Sequence, residues 1–130
     1  MFGSDRAITE KQMSDGSTVR ENRIQTLDSR SFGPMVLEAE GRIAVEFMSY
    51  GCGYCRAIEP LLQRVAETIE AEEAIFRVNI AAEPDLASEY GISGTPTFVM
   101  FLSGQELGRA EGPNPSFASV RDAVTGPFLS

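Results

Sequence analysis

Residues 48–56 read Met-Ser-Tyr-Gly-Cys-Gly-Tyr-Cys-Arg (MSYGCGYCR) and hold both cysteines of the 130-residue chain, Cys52 and Cys55. Immediately before them, Ile43-Ala44-Val45-Glu46-Phe47-Met48 is apolar apart from Glu46. A strand covered on both faces has that composition. After them, Tyr54, Ile58, Leu61, Leu62, Val65, Ala66 and Ile69 recur at spacings of three and four, the pattern of a helix with one buried stripe. The cysteines therefore sit at a strand-to-helix junction. Pro60 lies inside the helix, removes one backbone hydrogen bond and is expected to kink it.

The same alternation extends outward. Arg23 to Leu27 suits a short strand, and Asp28 to Ser31 opens a helix reaching about Ala39. Ala74 to Ile80 reads as a strand. A short helix then begins at Glu83-Pro84-Asp85 and ends at Gly91. Thr97 to Leu102 is a strong strand signal, and Ser103-Gly104 turns it into a hairpin with Gln105 to Glu111. Asn114-Pro115 is read as the cap of a last helix stopping at Gly126-Pro127. Strands alternating with helices, then a hairpin, predict an α/β domain with a central mixed sheet flanked by helices. Residues 1–22 are polar, show no period and read as a flexible N-terminal extension.

Composition narrows the function. A net charge of -8 makes nucleic acid and anionic membrane surfaces poor partners. No apolar run approaches the roughly 18 residues needed to cross a bilayer. The first residues lack the basic end and apolar stretch of a secretory signal, so a cytoplasmic location is expected. A periplasmic or secreted one would follow if a signal had been removed. Histidine is absent. Two cysteines without histidine do not complete the usual zinc tetrahedron within one chain, and Ser/His or Cys/His catalysis is excluded.

Thiol chemistry then leads, beside an inert pair of thiols and a metal held by four thiolates shared across a dimer. At a helix start, unpaired backbone N–H groups and the positive dipole end favour a thiolate, so the pKa of Cys52 is expected to fall. Cys55, three residues on, lies on the same side and can reach back to Cys52.

From about Ile24 to Val124 the sequence resembles the thioredoxin family. The resemblance rests on IAVEF, CGYC, Pro60, the VNI strand, YGISGTPTFVMF, the turn SGQ and Gly112. It implies a thioredoxin fold over residues 23–130: a mixed five-stranded sheet flanked by about four helices. It also implies a protein dithiol–disulfide oxidoreductase, with Cys52 as nucleophile and Cys55 as resolving thiol. No bound cofactor is implied beyond the redox-active Cys52–Cys55 disulfide. The implied partners are protein disulfides and a thioredoxin reductase or similar electron donor, with the chain acting as a monomer.

Thr95-Pro96 matches the family's cis-proline, which lets the Thr95 backbone pair with an extended substrate. Glu46 falls where the family carries a buried acid, most often Asp, that takes a proton from Cys55. Arg77 falls at its partner base, usually Lys. Since Arg does not give up its proton, the pair is expected to stay ionised more firmly than Asp with Lys. Gly51, Gly53 and Tyr54 form the active-site loop, and Gly94 and Gly112 are small residues bordering a substrate groove.

Three departures stand out. Met48 and Gly51 replace the family's usual tryptophans, leaving Tyr50 and Tyr54 as aromatic candidates. Tyr54 also stands where thioredoxins carry Pro. A stabilised Cys52 thiolate would make the pair somewhat more oxidising. Two other readings stay open: a disulfide oxidase or isomerase of an oxidising compartment, and a redox-inactive binding or chaperone module.

Overall fold

In a computed structural model, the structure describes residues 24–69 and 73–129. The proposed extension, residues 1–22, lies outside them. Five strands form one sheet: β1 (Gln25–Thr26), β2 (Arg42–Met48), β3 (Glu73–Asn79), β4 (Thr97–Leu102) and β5 (Gln105–Glu111). Their order is β1-β3-β2-β4-β5. Strands β1 and β2 run parallel to β3, whereas β4 is antiparallel to both β2 and β5. Four helical segments flank the sheet. These are α1 (Ser29–Phe32, continued by a π-helical turn over Gly33–Leu37), α2 (Gly53–Ala66), α3 (Pro84–Glu89) and α4 (Phe117–Leu129). The expected mixed five-stranded sheet with about four helices is what the chain forms.

Every residue from Ile43 to Met48 is buried, because β2 is covered on both faces. Its side chains alternate between two cores, as the period of two demands. Ala44 joins Ile58, Leu62 and Val65 of α2, Phe98 and Met100 of β4, and Val120, Ala123 and Val124 of α4. Ile43, Val45 and Phe47 join Phe32, Val36, Val78, Leu86, Val99 and Phe101 on the side of α1 and α3.

Local signals explain the boundaries. Asp28 caps α1, its carboxylate accepting from the N–H groups of Arg30 at 3.0 Å and Ser31 at 2.9 Å. At the β4–β5 turn Gly104 has φ +85°, and an added Cβ would lie 2.3 Å from the Leu37 carbonyl oxygen. Only glycine fits there.

Five expectations need correcting. The first strand is two residues long. The helix expected to reach Ala39 keeps α geometry only to Phe32; with Pro34 at its start, the next turn is π-helical and ends at Leu37. The last helix is not capped by Asn114-Pro115. Ser116 does that, its hydroxyl accepting from the Ser119 N–H at 3.2 Å. Nor does this helix stop at Gly126-Pro127, which lie inside it. Pro127 packs across Gly108 of β5, 3.5 Å from where a Cβ would stand, so tertiary contact overrides the local stop signal. Finally, the buried stripe of α2 is Cys55, Ile58, Leu62 and Val65. Tyr54 is not part of it.

Candidate active site

Three loops meet at one end of the sheet. Strand β2 ends at Met48, and its antiparallel neighbour β4 begins at Thr97, opposite Phe47. Strand β5 closes at Glu111, opposite the same Thr97. The residues after β2, before β4 and after β5 are therefore brought together from distant parts of the chain.

Cys52 is the N-cap of α2. Its sulfur accepts a hydrogen bond from the Cys55 N–H at 3.1 Å and lies 3.7 Å from the Thr95 carbonyl oxygen, to which the thiol donates. Burial pushes the Cys52 thiol up. Hydrogen bonds from the Cys55 side chain, the Thr95 side chain and the Cys55 and Tyr54 backbone outweigh it, so its pKa falls below the ordinary cysteine value. Cys55 is buried within the first turn. Desolvation first, then its hydrogen bond to Cys52, push its pKa up to about 11. Both cysteines are free thiols. The two are thus chemically unlike: one accessible and readily ionised, the other buried and holding its proton.

Thr95-Pro96 is a cis peptide. Pro96 is buried, and its carbonyl accepts from the Gly112 N–H at 2.9 Å. Gly94 is exposed, its carbonyl taking the Thr97 hydroxyl at 2.7 Å. Gly51 lies in the turn before Cys52, its N–H donating to the Ser49 hydroxyl at 3.2 Å, and Gly53 is the first residue of α2. Gly112 adopts φ +50°, and a Cβ there would come within 3.3 Å of the Tyr54 ring. Tyr54 leans across from α2 and donates its hydroxyl to the carbonyls of Gly112 and Pro113. It therefore covers Gly112 from one side. Tyr50 is 56% exposed on the rim.

Glu46 is completely buried on the α2 side of the sheet, opposite Arg77 in the parallel register of β2 and β3. The two form an ion pair, but not the firmly ionised one expected. The Arg77 Nε lies 3.6 Å from Glu46 Oε1, too long for a hydrogen bond, and neither Glu46 oxygen has a hydrogen-bond partner. Desolvation dominates, and with opposition from Arg77 and reinforcement from Glu59 and Cys52 it raises the Glu46 pKa to about 8.

The guanidinium is taken by Glu59, a residue that the sequence reading passed over. Arg77 Nη2 lies 2.7 Å from Glu59 Oε1 and 2.6 Å from Oε2. Gln63 steadies the same carboxylate with a 2.8 Å hydrogen bond. One signal was available: Glu59 stands four residues after Cys55 and so shares its helix face. A cavity of about 150 Å³ is lined by Met48, Tyr50, Cys55, Arg56, Glu59 and Arg77. It joins Cys55 to this charged pair.

Among the described residues, no group of three or more Cys, Asp or Glu is placed to hold a metal ion. None of their helices is long and apolar enough to cross a membrane.

Comparisons with known proteins point the same way as this geometry. A family model described as Thioredoxin matches residues 23–123. Thioredoxin 1 of a Nostoc species is 33% identical over 91 residues, covering 70% of this chain and 84% of the relative. The chloroplastic thioredoxin Y2 of Arabidopsis thaliana is 32% identical over 99 residues, 76% of this chain. The match spans 58% of that relative's length. The thioredoxin of Porphyra purpurea is 29% identical over 107 residues, covering 82% of this chain and 98% of its own.

Among solved structures, Malassezia sympodialis thioredoxin superposes with a TM-score of 0.69 at 24% identity, covering 79% of this chain and 89% of its own. A mutant thioredoxin from Halobacterium salinarum gives 0.69 at 22% identity, covering 82% and 91%. These two likenesses concern the fold.

Proposed function

The chain belongs to the thioredoxin family, whose members are thiol–disulfide oxidoreductases, and on that premise we propose that it reduces disulfides of protein substrates through Cys52 and Cys55. The observation that carries this reading is the inequality of the two thiols: Cys52 is held ready to ionise at the mouth of α2, and Cys55 is not. The Cys52 thiolate attacks a substrate disulfide. One substrate sulfur leaves with the electron pair, and a mixed disulfide joins Cys52 to the other. Cys55 then gives its proton to Glu46 and attacks the Cys52 sulfur. The Cys52–Cys55 bond forms, the second substrate thiolate departs and takes a proton from water, and two electrons have passed to the substrate.

Glu46 suits the proton transfer because a base with pKa about 8 lies close to the working pH. Arg77 is read as the nearby charge that keeps the Glu46 pKa from rising further. Gly94, Thr95, Pro96 and Gly112 line the docking groove in this reading, with Gly51, Gly53 and Tyr54 shaping its lip. We assign the domain to residues 23–130, acting as a monomer supplied by a thioredoxin reductase or similar dithiol donor. A cytoplasmic setting agrees with the reducing direction.

Two measurements test the proposal. With Cys55→Ser, the mixed disulfide with substrate proteins should accumulate, whereas Cys52→Ser should trap nothing; disulfide reduction surviving Cys52→Ser would refute the mechanism. The reduction potential decides direction. A value near about -270 mV supports the reductant, and one above about -200 mV would make the protein an oxidant or isomerase.

A further inference from the structure

Arg77 faces two carboxylates and hydrogen-bonds only one of them, its Nε standing 3.6 Å from Glu46 Oε1 as an ion pair without a hydrogen bond. In the β2–β3 register it stands directly opposite Glu46. Yet its Nη2 reaches away to both oxygens of Glu59 on α2, at 2.7 and 2.6 Å. Glu46, wholly buried, keeps two oxygens without a hydrogen bond. Glu59 is itself 32% exposed in its side chain and anchored by Gln63, so its charge is solvated and its position held. A solvated carboxylate competes well for a cation, because it avoids the desolvation that a fully buried one must bear.

We propose that Glu59 is a positioning residue for the resolving step: by engaging Arg77 it keeps the guanidinium from hydrogen-bonding Glu46 and leaves Glu46 free to exchange a proton with Cys55. This rests on the role given to Glu46 above. The groups that act electrostatically on Glu46 are Arg77 from β3, Glu59 from α2 and Cys52 at the start of α2. Strand β4 and helix α4 bring apolar side chains to the same core, Phe98, Val120 and Val124 among them. Were Arg77 to turn fully onto Glu46, the carboxylate would be held charged. It would then be a weak base towards Cys55 at every pH above the acid range. The cavity lined by Cys55, Glu59 and Arg77 places this arrangement beside the sulfur it serves.

The test follows the resolving step alone. Stopped-flow reduction of a symmetrical aryl disulfide releases one thiol on attack by Cys52 and a second on resolution by Cys55. The second phase of the wild-type protein should rise with pH as Glu46 ionises. In Glu59→Gln that limb should move down by roughly one pH unit, with a lower plateau, because Glu46 becomes more acidic and less basic. The same substitution in an Arg77→Met background should move it by less than about a third as much, since the effect passes through Arg77. An unmoved limb in Glu59→Gln overturns the proposal. So does an equal shift in both backgrounds, which would mean that Glu59 acts by its charge alone. If Arg77→Met does not fold, Glu106→Gln on exposed β5 supplies the comparison: a shift equal to that of Glu59→Gln overturns the proposal, and none supports it. Glu46→Gln separates the two levels. A limb that survives it would refute Glu46 as the base. Carboxyl NMR of Glu46 in the Glu59→Gln protein then still decides, a lowered Glu46 titration supporting the positioning role and an unmoved one overturning it.

Discussion

The two faces of the sheet solve opposite problems. On the side of α1 and α3, Phe47 packs among aromatic rings. Phe32 lies 6.5 Å from it and Tyr90 5.9 Å, while Tyr90 and Phe101 meet edge-on at 5.8 Å. No acid interrupts that core among the described residues. One residue earlier on the same strand, Glu46 points to the other side, into a core of Ile58, Leu62, Phe98 and Val120 capped by the charged pair of Arg77 and Glu59. One face holds an acid-free core among the described residues, and the other carries a buried carboxylate whose desolvation costs stability wherever it is charged. Adjacent positions on one strand can differ this far because alternate side chains never share an environment.

The sharpest way to break the comparison is on the aromatic face. Phe47→Ala should cost about 3–5 kcal/mol of stability, read from denaturant midpoints, because the rings around it cannot close over the space. The thiol pKa of the folded fraction should stay where it was.

The opposite face should respond with the opposite sign. The folded pKa of Glu46, about 8, lies above its unfolded value of 4.5, so the folded chain binds the proton more tightly. Stability is therefore lost progressively as pH rises from about 4.5 towards 8. Glu46→Gln imitates the protonated carboxyl and should leave stability unchanged near about pH 4.5. By about pH 7 it should gain roughly 3 kcal/mol. A gain independent of pH would contradict the assigned titration.

Smaller effects lie at the groove. Gly112→Ala must put a Cβ into a left-handed backbone and against the Tyr54 ring, at a cost of about 1–2 kcal/mol. Tyr54→Phe loses the hydroxyl bonds to Gly112 and Pro113 and should cost about 1 kcal/mol. Because the backbone bond from Cys55 to Cys52 is untouched, the alkylation rate of Cys52 against pH should keep its midpoint. A moved midpoint would tie Tyr54 to thiol activation and blur the line between groove and nucleophile.

Much of the site was legible in the residues. An apolar strand entering a helical stripe with two cysteines at the junction put a thiol at a helix N-terminus. The backbone N–H on Cys52 is the local consequence, and local hydrogen bonding follows from order along the chain. The family resemblance set Glu46 beside Arg77, and the register of the adjacent parallel strands puts positions 46 and 77 side by side. Misreadings arose where distant contacts override a local signal. Tyr54 fitted the helical period yet turned to the loop at Gly112 and Pro113, far along the chain. Gly126-Pro127 looked like a stop and became the part of α4 that packs on β5.

Chain order alone thus determined the elements, the junction and the two thiols, because period, capping and apolar runs act over a few residues. The tertiary structure decided that Arg77 hydrogen-bonds Glu59, and that Glu46 is buried deeply enough for desolvation to raise its pKa. Two acids compete for one cation there. The outcome depends on their relative solvation, a property of the packed core and absent from the local sequence.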